Sequence, residues 1–316
     1  MSPRMSPRGP NLFLIAAPRA GSTQMARWLA SHGEIQLSAV KEPNFFSAHE
    51  FDPLHVAQSH LNDVDPARFA EGDQARTAQF AVFRKDSDYQ ALFQRMSAPW
   101  RMEASTSYLA CPETPAAIKD MVPDARLIFL TRDPLTRALS HYRLARRTGR
   151  VQASLGEVLE DEISGRTPIG ERILLRPSNQ AAGLRRYQSL FKPNQCLFLQ
   201  FEKVISNPAQ ALEDVASWLG LNPAGFDLAV KAQNAGHAPR FPHLNRVLQT
   251  SGIKTSLRRA LPVGMKKRLK PLWFDATRTV AISAADQVAL AAALRRAGPP
   301  LLPSLLPRPS EMEISP

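Results

Sequence analysis

The sequence predicts an α/β fold in which a central, mostly parallel sheet lies between layers of helices. Short, continuously apolar runs lead into turns that contain glycine or proline, as do strands that are buried on both faces of a parallel sheet. Segments with helical spacing of apolar residues follow these runs, so strands and helices alternate along the 316 residues. The composition, 44% hydrophobic and 22% charged, is typical of a globular protein.

The first predicted unit is a strand over residues 12–17, a turn at residues 18–23 and a helix. Within that helix Met25, Trp28 and Leu29 recur at helical spacing. Ligands of parallel α/β folds bind at the carboxyl ends of the strands, so this turn is a candidate binding loop.

The second unit is defined at both ends by local signals. A strand is predicted over residues 126–131, and Asp133 is placed to cap the helix that follows. Pro134 suits the first helical position, and Gly149 suits the residue after the last turn. These signals predict a helix over residues 134–148.

Other elements are predicted on both sides of the second unit. The predicted strands are residues 77–83, 100–104 and 196–201, and the predicted helices are residues 178–191 and 208–219. From about residue 234 the chain becomes basic and contains prolines, and we expect a helical C-terminal region there.

We expect one main domain over residues 11–300. Residues 1–10 repeat Met-Ser-Pro-Arg and lack the apolar segment of a signal peptide, which indicates a disordered basic tail. Residues 301–316 are rich in proline, cannot continue a helix and form a second tail. No window reaches 18 consecutive apolar residues, so we expect a cytoplasmic protein without a membrane span. The oligomeric state stays open.

The formal charge of +12 predicts an anionic partner. Residues 251–280 hold eight Lys or Arg against one acidic residue, which leaves a polyanion-binding protein as an alternative. The aromatic residues there are only Trp273 and Phe274, so nucleic-acid binding by base stacking is not expected. Cys111 and Cys196 are far apart in sequence, and no cluster of histidines or carboxylates is evident, so no metal site is predicted.

The turn at residues 18–23 has the composition of an anion-binding loop. Backbone N–H groups, the hydroxyls of Ser22 and Thr23 and the start of a helix converge there, which favours a phosphate or sulfate. A Walker A loop would have glycine at Ala16 and lysine at Ser22, so an ATP-dependent small-molecule kinase is the weaker alternative. Arg19 supplies a positive charge instead. Taken alone, the segment is also compatible with an ordinary turn that binds nothing.

A second cationic group follows the strand at residues 126–131. Arg132 lies at the strand end and Ser140 two helical turns further on, with Arg137 and Arg143 nearby. A planar guanidinium and a hydroxyl held in this way form a second phosphate site. The alternative is a solvated basic helix face. Together, the two segments imply a nucleotide that carries phosphates at both ends.

These segments resemble the sulfotransferases that use 3′-phosphoadenosine 5′-phosphosulfate (PAPS) as donor. Pro-Arg-Ala-Gly-Ser-Thr at residues 18–23 is similar to the family's 5′-phosphosulfate loop, and LTRDPLTRALSHY at residues 130–142 resembles its 3′-phosphate motif. Residues 185–221 resemble the strand and helix that follow in the family. The resemblance implies a P-loop-like three-layer α/β/α fold, sulfonate transfer without a metal, and donor binding by Arg19, Ala20, Gly21, Ser22, Thr23, Arg132 and Ser140.

Two further segments resemble the heparan sulfate and related carbohydrate sulfotransferases. Lys-Glu-Pro-Asn-Phe-Phe at residues 41–46 is similar to their K-E-x-x-F-F segment, which implies Glu42 as catalytic base, and a surface Lys–Glu pair is the alternative. Residues 102–108 resemble their Glu-Lys-Ser/Thr-x-x-Tyr segment, but Ala104 occupies the lysine position. The resemblance implies that Arg19 stabilises charge on the leaving phosphate. The implied acceptor is a glycan or a small molecule with a hydroxyl or an amine, and the basic chain suits an anionic one.

Overall fold

The computed structural model describes six stretches of the chain, which are residues 9–58, 63–72, 77–230, 238–239, 274–275 and 280–299. The predicted tail at residues 301–316 lies outside these stretches, as do nearly all of the predicted tail at residues 1–10 and of the basic segment 251–280. The division into two tails and one domain therefore stays a prediction. Both predicted strand–turn–helix units lie wholly within the described residues.

The described strands form three sheets. In chain order they are β1 (Leu12–Ala16), β2 (Ile35–Leu37), β3 (Val40–Glu42), β4 (Ala78–Phe80), β5 (Trp100–Glu103), β6 (Arg126–Thr131), β7 (Cys196–Gln200), β8 (Ala238–Pro239) and β9 (Phe274–Asp275). The central sheet has the order β2-β5-β1-β6-β7, and all of its neighbouring strands are parallel. β3 pairs with β4 in a separate parallel sheet, and β8 pairs with β9 in an antiparallel one.

Helices flank the central sheet, which confirms the predicted α/β class. They are α1 (Ser22–Leu29), α2 (Pro53–Gln58), α3 (Pro66–Glu71), α4 (Asp86–Ala91), α5 (Thr114–Met121), α6 (Pro134–Thr148), α7 (Leu155–Ile163), α8 (Gln180–Gln188), α9 (Phe201–Ser206), α10 (Pro208–Leu219) and α11 (Ala284–Ala297). Short 3₁₀ helices, such as Phe45–Glu50 and Arg176–Ser178, connect some of them. Among the described helices, none is long and apolar enough to cross a bilayer.

The register of β1 and β6 positions the site. The two strands pair in parallel along their whole shared length, and Ala16 lies opposite Leu130. The Ala17 N–H then donates to the Leu130 carbonyl (2.9 Å). Because both strands end at the same edge of the sheet, the turn after β1 and the start of α6 lie side by side.

α6 has the bounds that its caps predict. The Asp133 side chain accepts a hydrogen bond from the Thr136 N–H (2.8 Å), and Pro134 occupies the first turn. Gly149 ends the helix in the left-handed conformation, with φ 80°. The helix therefore presents a fixed face to the end of β1.

Three predicted elements differ from the structure. Residues 77–83 contribute only the short β4, which pairs with β3 outside the central sheet. The helix predicted over residues 178–191 is shorter because Asn179 caps it, so that α8 begins at the next residue. Phe201, predicted as the end of a strand, is the first residue of α9.

The apolar side chains form two cores. The larger one surrounds the central sheet and includes all five residues of β1, each fully buried. The smaller one lies between α6, α7 and α11, with Leu139, Tyr142, Leu159 and Leu290 among its members. α6 therefore packs against this second core, which is separate from the core around the central sheet.

Candidate active site

The turn at residues 18–23, called the anion loop below, connects β1 to α1. Gly21 has φ 86°, and a Cβ at this residue would lie 2.9 Å from the Phe201 ring, so both the backbone and the packing require glycine. Arg19 also has a positive φ, 74°, which is uncommon for a residue with a side chain. α1 has no side-chain cap and no acidic residue in its first turn, so its N-terminus favours an anion.

The remaining residues of the anion loop are packed more tightly than Arg19. Ala20 is fully buried, and its N–H donates to the carbonyl of Ala17 (3.0 Å), which closes the turn. Ser22 is buried at the start of α1, and Thr23 beside it is half-buried. The loop is therefore held in one conformation before any ligand binds.

The structure brings together the two cationic segments that the sequence identifies. Arg19 Nε donates to Ser140 Oγ (3.2 Å), and Arg132 Nη1 donates to the backbone carbonyl of Arg19 (2.7 Å). Between them is a cavity of about 340 Å³, lined by Arg19, Arg132, Thr136, Leu139, Ser140, Arg143 and Arg147. Among the described residues, no carboxylate belongs to this lining. The cavity is therefore strongly cationic.

Burial lowers the pKa of three arginines of this lining, Arg19, Arg132 and Arg147, although Glu202 and Asp133, outside the described lining, raise the pKa of Arg132. Burial lowers the pKa of Arg19, and the neighbouring charges of Arg147 and Arg132 lower it further. The Arg132 guanidinium lies over the Phe201 ring, 4.5 Å from its centroid. Its Nε is buried and has no hydrogen-bond partner within the described residues. A phosphate group would supply the missing acceptor and the missing negative charge, so these residues fit a nucleotide phosphate.

Arg137 has a different function from the arginines around it, because its side chain is fully buried. Nε donates to Ser178 Oγ (2.8 Å), and Nη2 donates to the carbonyls of Ile173 (2.6 Å) and Leu174 (3.0 Å). Nη1 lies 3.4 Å from the carbonyl of Pro18. The alternative of a solvated basic face is therefore wrong for this residue, which connects α6 to the anion loop and to the segment before α8.

Glu42 is the last residue of β3, and its carboxylate is held by three donors. Oε1 accepts from Lys41 Nζ (2.9 Å) and Gln79 Nε2 (3.0 Å), and Oε2 accepts from Thr106 Oγ1 (2.8 Å). Lys41 is 5% exposed and Glu42 8%. The alternative of a surface Lys–Glu pair is therefore wrong.

Lys41 connects Glu42 to the anion loop. Its Nζ, already paired with Glu42, also lies 3.2 Å from Ser22 Oγ and 3.3 Å from the carbonyl of Ala104. One ammonium group thus joins three segments of the chain, and the predicted base lies next to the predicted donor loop. The sequence did not identify this function of Lys41, because Ser22 is 19 residues away and Ala104 is 63 residues away.

Glu103, at the end of β5, is a second buried carboxylate close enough to Glu42 to be affected by its charge. It accepts hydrogen bonds from the hydroxyls of Tyr89 and Ser105, the latter at 2.7 Å. Burial raises the pKa of Glu103 to about 7, and Glu42 raises it too, although the hydrogen bonds from Tyr108, Tyr89 and Ser105 act in the opposite direction. Nothing in the sequence predicts this, since burial depends on the tertiary fold.

A larger cavity of about 800 Å³ opens beside the anion loop and Glu42. Pro18 of the loop lines it, as does Thr106, whose hydroxyl binds the Glu42 carboxylate. His141 also lines this cavity, whereas its neighbour Ser140 lines the arginine-rich one. The two residues therefore face different ligand sites.

The acidic and basic residues that line the larger cavity differ in whether their side chains have partners. Its carboxylates are already engaged, Glu50 by Arg176, Asp161 by Arg166, Glu171 by His55, and Glu162 by the N–H groups of Ile173, Leu174 and Leu175. Arg150, in contrast, has a buried Nε with no hydrogen-bond partner within the described ranges. Burial, followed by the charge of Arg19, lowers the pKa of Arg150. Within the described lining, Arg150 therefore offers a buried donor that a ligand can satisfy.

Four side chains that the sequence does not place together form a cluster near the 3₁₀ helix Phe45–Glu50. The ligand atoms of His49, Glu50, Cys111 and Glu113 lie within 4.8 Å of one another. Cys111 Sγ donates to Glu113 Oε2 (3.4 Å), and His49 Nε2 lies 3.3 Å from the same oxygen. The expectation that no such cluster exists is therefore wrong. No local pattern predicts this cluster, because 62 residues separate His49 from Cys111.

The chain matches the model of the sulfotransferase family over residues 10–224. The matched range contains the anion loop, Glu42, Lys41 and the whole of α6. It also ends just after α10, so α11 and the segment before it lie beyond the family match.

Two similar proteins act on heparan sulfate according to their names. Heparan sulfate glucosamine 3-O-sulfotransferase 3A1 of Mus musculus is 31% identical over 248 residues, and the match covers 72% of this chain and 53% of that protein. Bifunctional heparan sulfate N-deacetylase/N-sulfotransferase 3 of Homo sapiens is 24% identical over 222 residues, which cover 68% of this chain and 23% of that protein. The chain thus spans about half the length of the first relative and less of the second.

A solved structure shows the same fold. The crystal structure of a sulfotransferase from Alicyclobacillus acidocaldarius matches with a TM-score of 0.56 and 24% sequence identity. The match covers 79% of this chain and 94% of that one.

Proposed function

Because this chain belongs to the sulfotransferase family, we propose that it transfers a sulfonate group from PAPS to a hydroxyl or an amine of a glycan acceptor. One observation carries the proposal. Lys41 joins the Glu42 carboxylate to Ser22 of the anion loop, and Arg19 of the same loop lies against Ser140. A candidate base and a site for a nucleotide with two phosphate ends therefore adjoin each other.

In this proposal the arginine-lined cavity binds the 3′-phosphate of the donor, and the anion loop binds the 5′-phosphosulfate. In the part of the chain that the structure describes, the Nε of Arg132 has no partner and the cavity lining has no carboxylate, which supports the first assignment. The uncapped N-terminus of α1 supports the second. PAPS, when bound, supplies an activated sulfonate and a good leaving group.

The transfer forms a bond between the acceptor oxygen and sulfur, and it breaks the bond between sulfur and the oxygen that bridges to the 5′-phosphate. The electron pair of the broken bond stays on that phosphate oxygen, where Arg19 and the N–H groups of the anion loop stabilise the negative charge. The acceptor proton moves to the carboxylate of Glu42. Arg19 acts as a fixed charge, because a guanidinium does not give up its proton.

The acceptor occupies the larger cavity in this proposal. This cavity adjoins both Glu42 and the anion loop through Thr106 and Pro18, so an acceptor hydroxyl bound there can reach both. The buried Nε of Arg150, which has no hydrogen-bond partner in the described part of the chain, favours an acceptor with a carboxylate or sulfate group. The names of the heparan sulfate relatives are consistent with such an acceptor.

Glu42→Gln tests the proposed base. The amide cannot accept the acceptor proton, so we expect the rate of sulfonate transfer to fall by about 100-fold or more. Transfer is measured with labelled PAPS and a series of glycans of increasing negative charge, and PAPS affinity is measured by calorimetry. We expect the affinity to remain, since the amide keeps the size of the side chain.

Glu213→Gln on α10 is the matched control, because Glu213 is exposed and lies outside the site. Unchanged transfer by Glu42→Gln would eliminate Glu42 as the base. A thermal shift of the unmodified chain with ATP and Mg²⁺, and none with PAPS, would overturn the proposed function as a whole and favour a kinase.

A further inference from the structure

The ammonium group of Lys41 lies beside Ala104, whose own side chain carries no charge. Ala104 is fully buried and is bonded to Lys41 at two points. Its N–H donates to the backbone carbonyl of Lys41 (3.1 Å), and its own carbonyl accepts from Lys41 Nζ (3.3 Å). The lysine side chain thus starts on β3 and ends at the segment that follows β5. The backbone hydrogen bond positions the main chain of Lys41, and the side-chain hydrogen bond positions its ammonium group.

The ammonium of Lys41 makes one hydrogen bond for each of its three protons. The acceptors are Glu42 Oε1, Ser22 Oγ and the carbonyl of Ala104, at 2.9, 3.2 and 3.3 Å. Two of these acceptors are neutral, although a buried ammonium is costly unless anions compensate its charge. The carboxylate of Glu42 is in addition shared with Gln79 and Thr106. An anion can therefore replace one of the two neutral acceptors of Lys41.

Lys41 lies where the transferred sulfonate would pass in the proposed reaction. In the proposed reaction a sulfonate passes from the anion loop to an oxygen that Glu42 deprotonates, so it must lie between Ser22 and Glu42. Lys41 Nζ is within hydrogen-bond distance of both. Arg19, in contrast, bonds Ser140 and lines the arginine-rich cavity, so in the proposed reaction its charge acts on the phosphates of the donor. The two cations of the loop region therefore serve different parts of the donor.

We propose that Lys41 binds the sulfonate oxygens of the donor and supplies the positive charge that Ala104 does not. This inference rests on the proposed function. The proton that Lys41 gives to the neutral hydroxyl of Ser22 turns to the charged sulfonate, which is the stronger acceptor. The Ser22 hydroxyl is then released to the 5′-phosphate.

Lys41→Met tests this assignment by donor binding in the absence of any acceptor. We expect calorimetry to show that the affinity for PAPS falls by about tenfold or more, as for the loss of one charge-assisted hydrogen bond. The affinity for adenosine 3′,5′-bisphosphate, which has no sulfonate, should change by less than about twofold on the same scale. Lys85→Met, which alters an exposed lysine, is the control and should change neither affinity.

Other outcomes overturn the assignment. Equal losses for the two nucleotides would mean that Lys41 only shapes the anion loop. Unchanged affinities with slower transfer would mean that Lys41 only positions Glu42. If the unmodified chain binds neither nucleotide, the proposed function has failed, and that result is distinct from a defect confined to Lys41→Met.

A second variant moves the charge within the same site. Adding Ala104→Lys to Lys41→Met places a lysine in the segment that follows β5, and we expect it to recover PAPS affinity without altering that for the bisphosphate. The melting temperature shows whether the buried position 104 accepts the larger side chain. Should the double variant fail to fold, the comparison of the two nucleotides in Lys41→Met still decides the assignment.

Discussion

The two buried carboxylates of the site, Glu42 and Glu103, have different kinds of partner. Glu42 accepts from a lysine ammonium, whereas Glu103 accepts from the hydroxyls of Tyr89 and Ser105. A hydroxyl can serve a neutral carboxylic acid as well as a carboxylate, because it is both donor and acceptor. Burial can therefore raise the pKa of Glu103 to about 7 without breaking its contacts. The protonation state of Glu103 links the stability of the site to pH.

The pH dependence of folding follows from this shift. In the unfolded chain Glu103 ionises near its ordinary value of 4.5, but in the folded chain only near 7. Its contribution to stability is thus fully present below about pH 4.5, and it is lost as the pH rises through about 7. We expect Glu103→Gln to reduce the drop in unfolding free energy between pH 5 and pH 8, measured by urea denaturation. An equal drop in both proteins would contradict the assignment.

At the residue scale, the sequence predicted the site residues that lie within its two cationic segments. Arg19, Arg132 and Ser140 lie in two short segments, and the parallel pairing of their strands makes their meeting predictable. Lys41 and Arg150 were not given a function. Their importance depends on burial and on contacts far along the chain, which no spacing rule encodes.

At the scale of elements, the anion loop depends on a few backbone angles. Gly21 has a positive φ and leaves room for the Phe201 ring at the start of α9. α9 begins directly after β7, the edge strand of the central sheet. The conformation of the loop is thus determined by the strand two places away from its own, and not only by residues 18–23.

Gly21→Ala should perturb this arrangement. The added Cβ would occupy a strained φ and approach the Phe201 ring to 2.9 Å, so we expect a loss of about 1–3 kcal/mol of unfolding free energy. Binding of adenosine 3′,5′-bisphosphate should weaken as the loop shifts, as measured by calorimetry.

The matched control is Gly33→Ala, since a Cβ there meets no atom within 4 Å and its φ is not positive. We expect this control to change stability by less than about 0.5 kcal/mol. Equal losses of stability and equal nucleotide affinities in the two variants would show that the anion loop does not depend on the conformation and packing of Gly21.

Elements were predictable from sequence where their signals are local. α6 was predicted with both ends correct because Asp133, Pro134 and Gly149 define them. β2 and β3 were missed, since strands of three residues are too short to show a period. The separate pairing of β4 with β3 was also missed, because sheet membership is a long-range contact and not a property of residues 77–83.

At the scale of the whole molecule, the second core includes residues that lie beyond the family match. The match ends at residue 224, yet Leu290 of α11 is fully buried against α6 and α7. α6 also carries Ser140, which lines the arginine-rich cavity. The segment after the family match therefore supports the helix that bears part of the site.

Leu290→Ala tests this support. Removing a fully buried leucine side chain leaves a cavity, so we expect a loss of about 2–5 kcal/mol in unfolding free energy. Val288→Ala on the same helix is the control, since Val288 is 68% exposed and should change stability by less than about 0.5 kcal/mol. Urea denaturation measures both. Equal and small effects would show that α11 adds little to the fold.

The separation of the two parallel sheets affects how the specificity of such a chain can change. Only residues 38 and 39 lie between β2 in the central sheet and β3 in the small one. The arginines of the smaller cavity lie in the loop after β1 and in or just before α6, whereas Glu42 and Gln79 belong to the small sheet. Replacing residues 40–80 by those of a relative would therefore change Lys41, Glu42 and Gln79 together and leave the arginines of the smaller cavity in place. Because Lys41 contacts Ser22 of the anion loop and the carbonyl of Ala104, such an exchange would also have to preserve these two contacts.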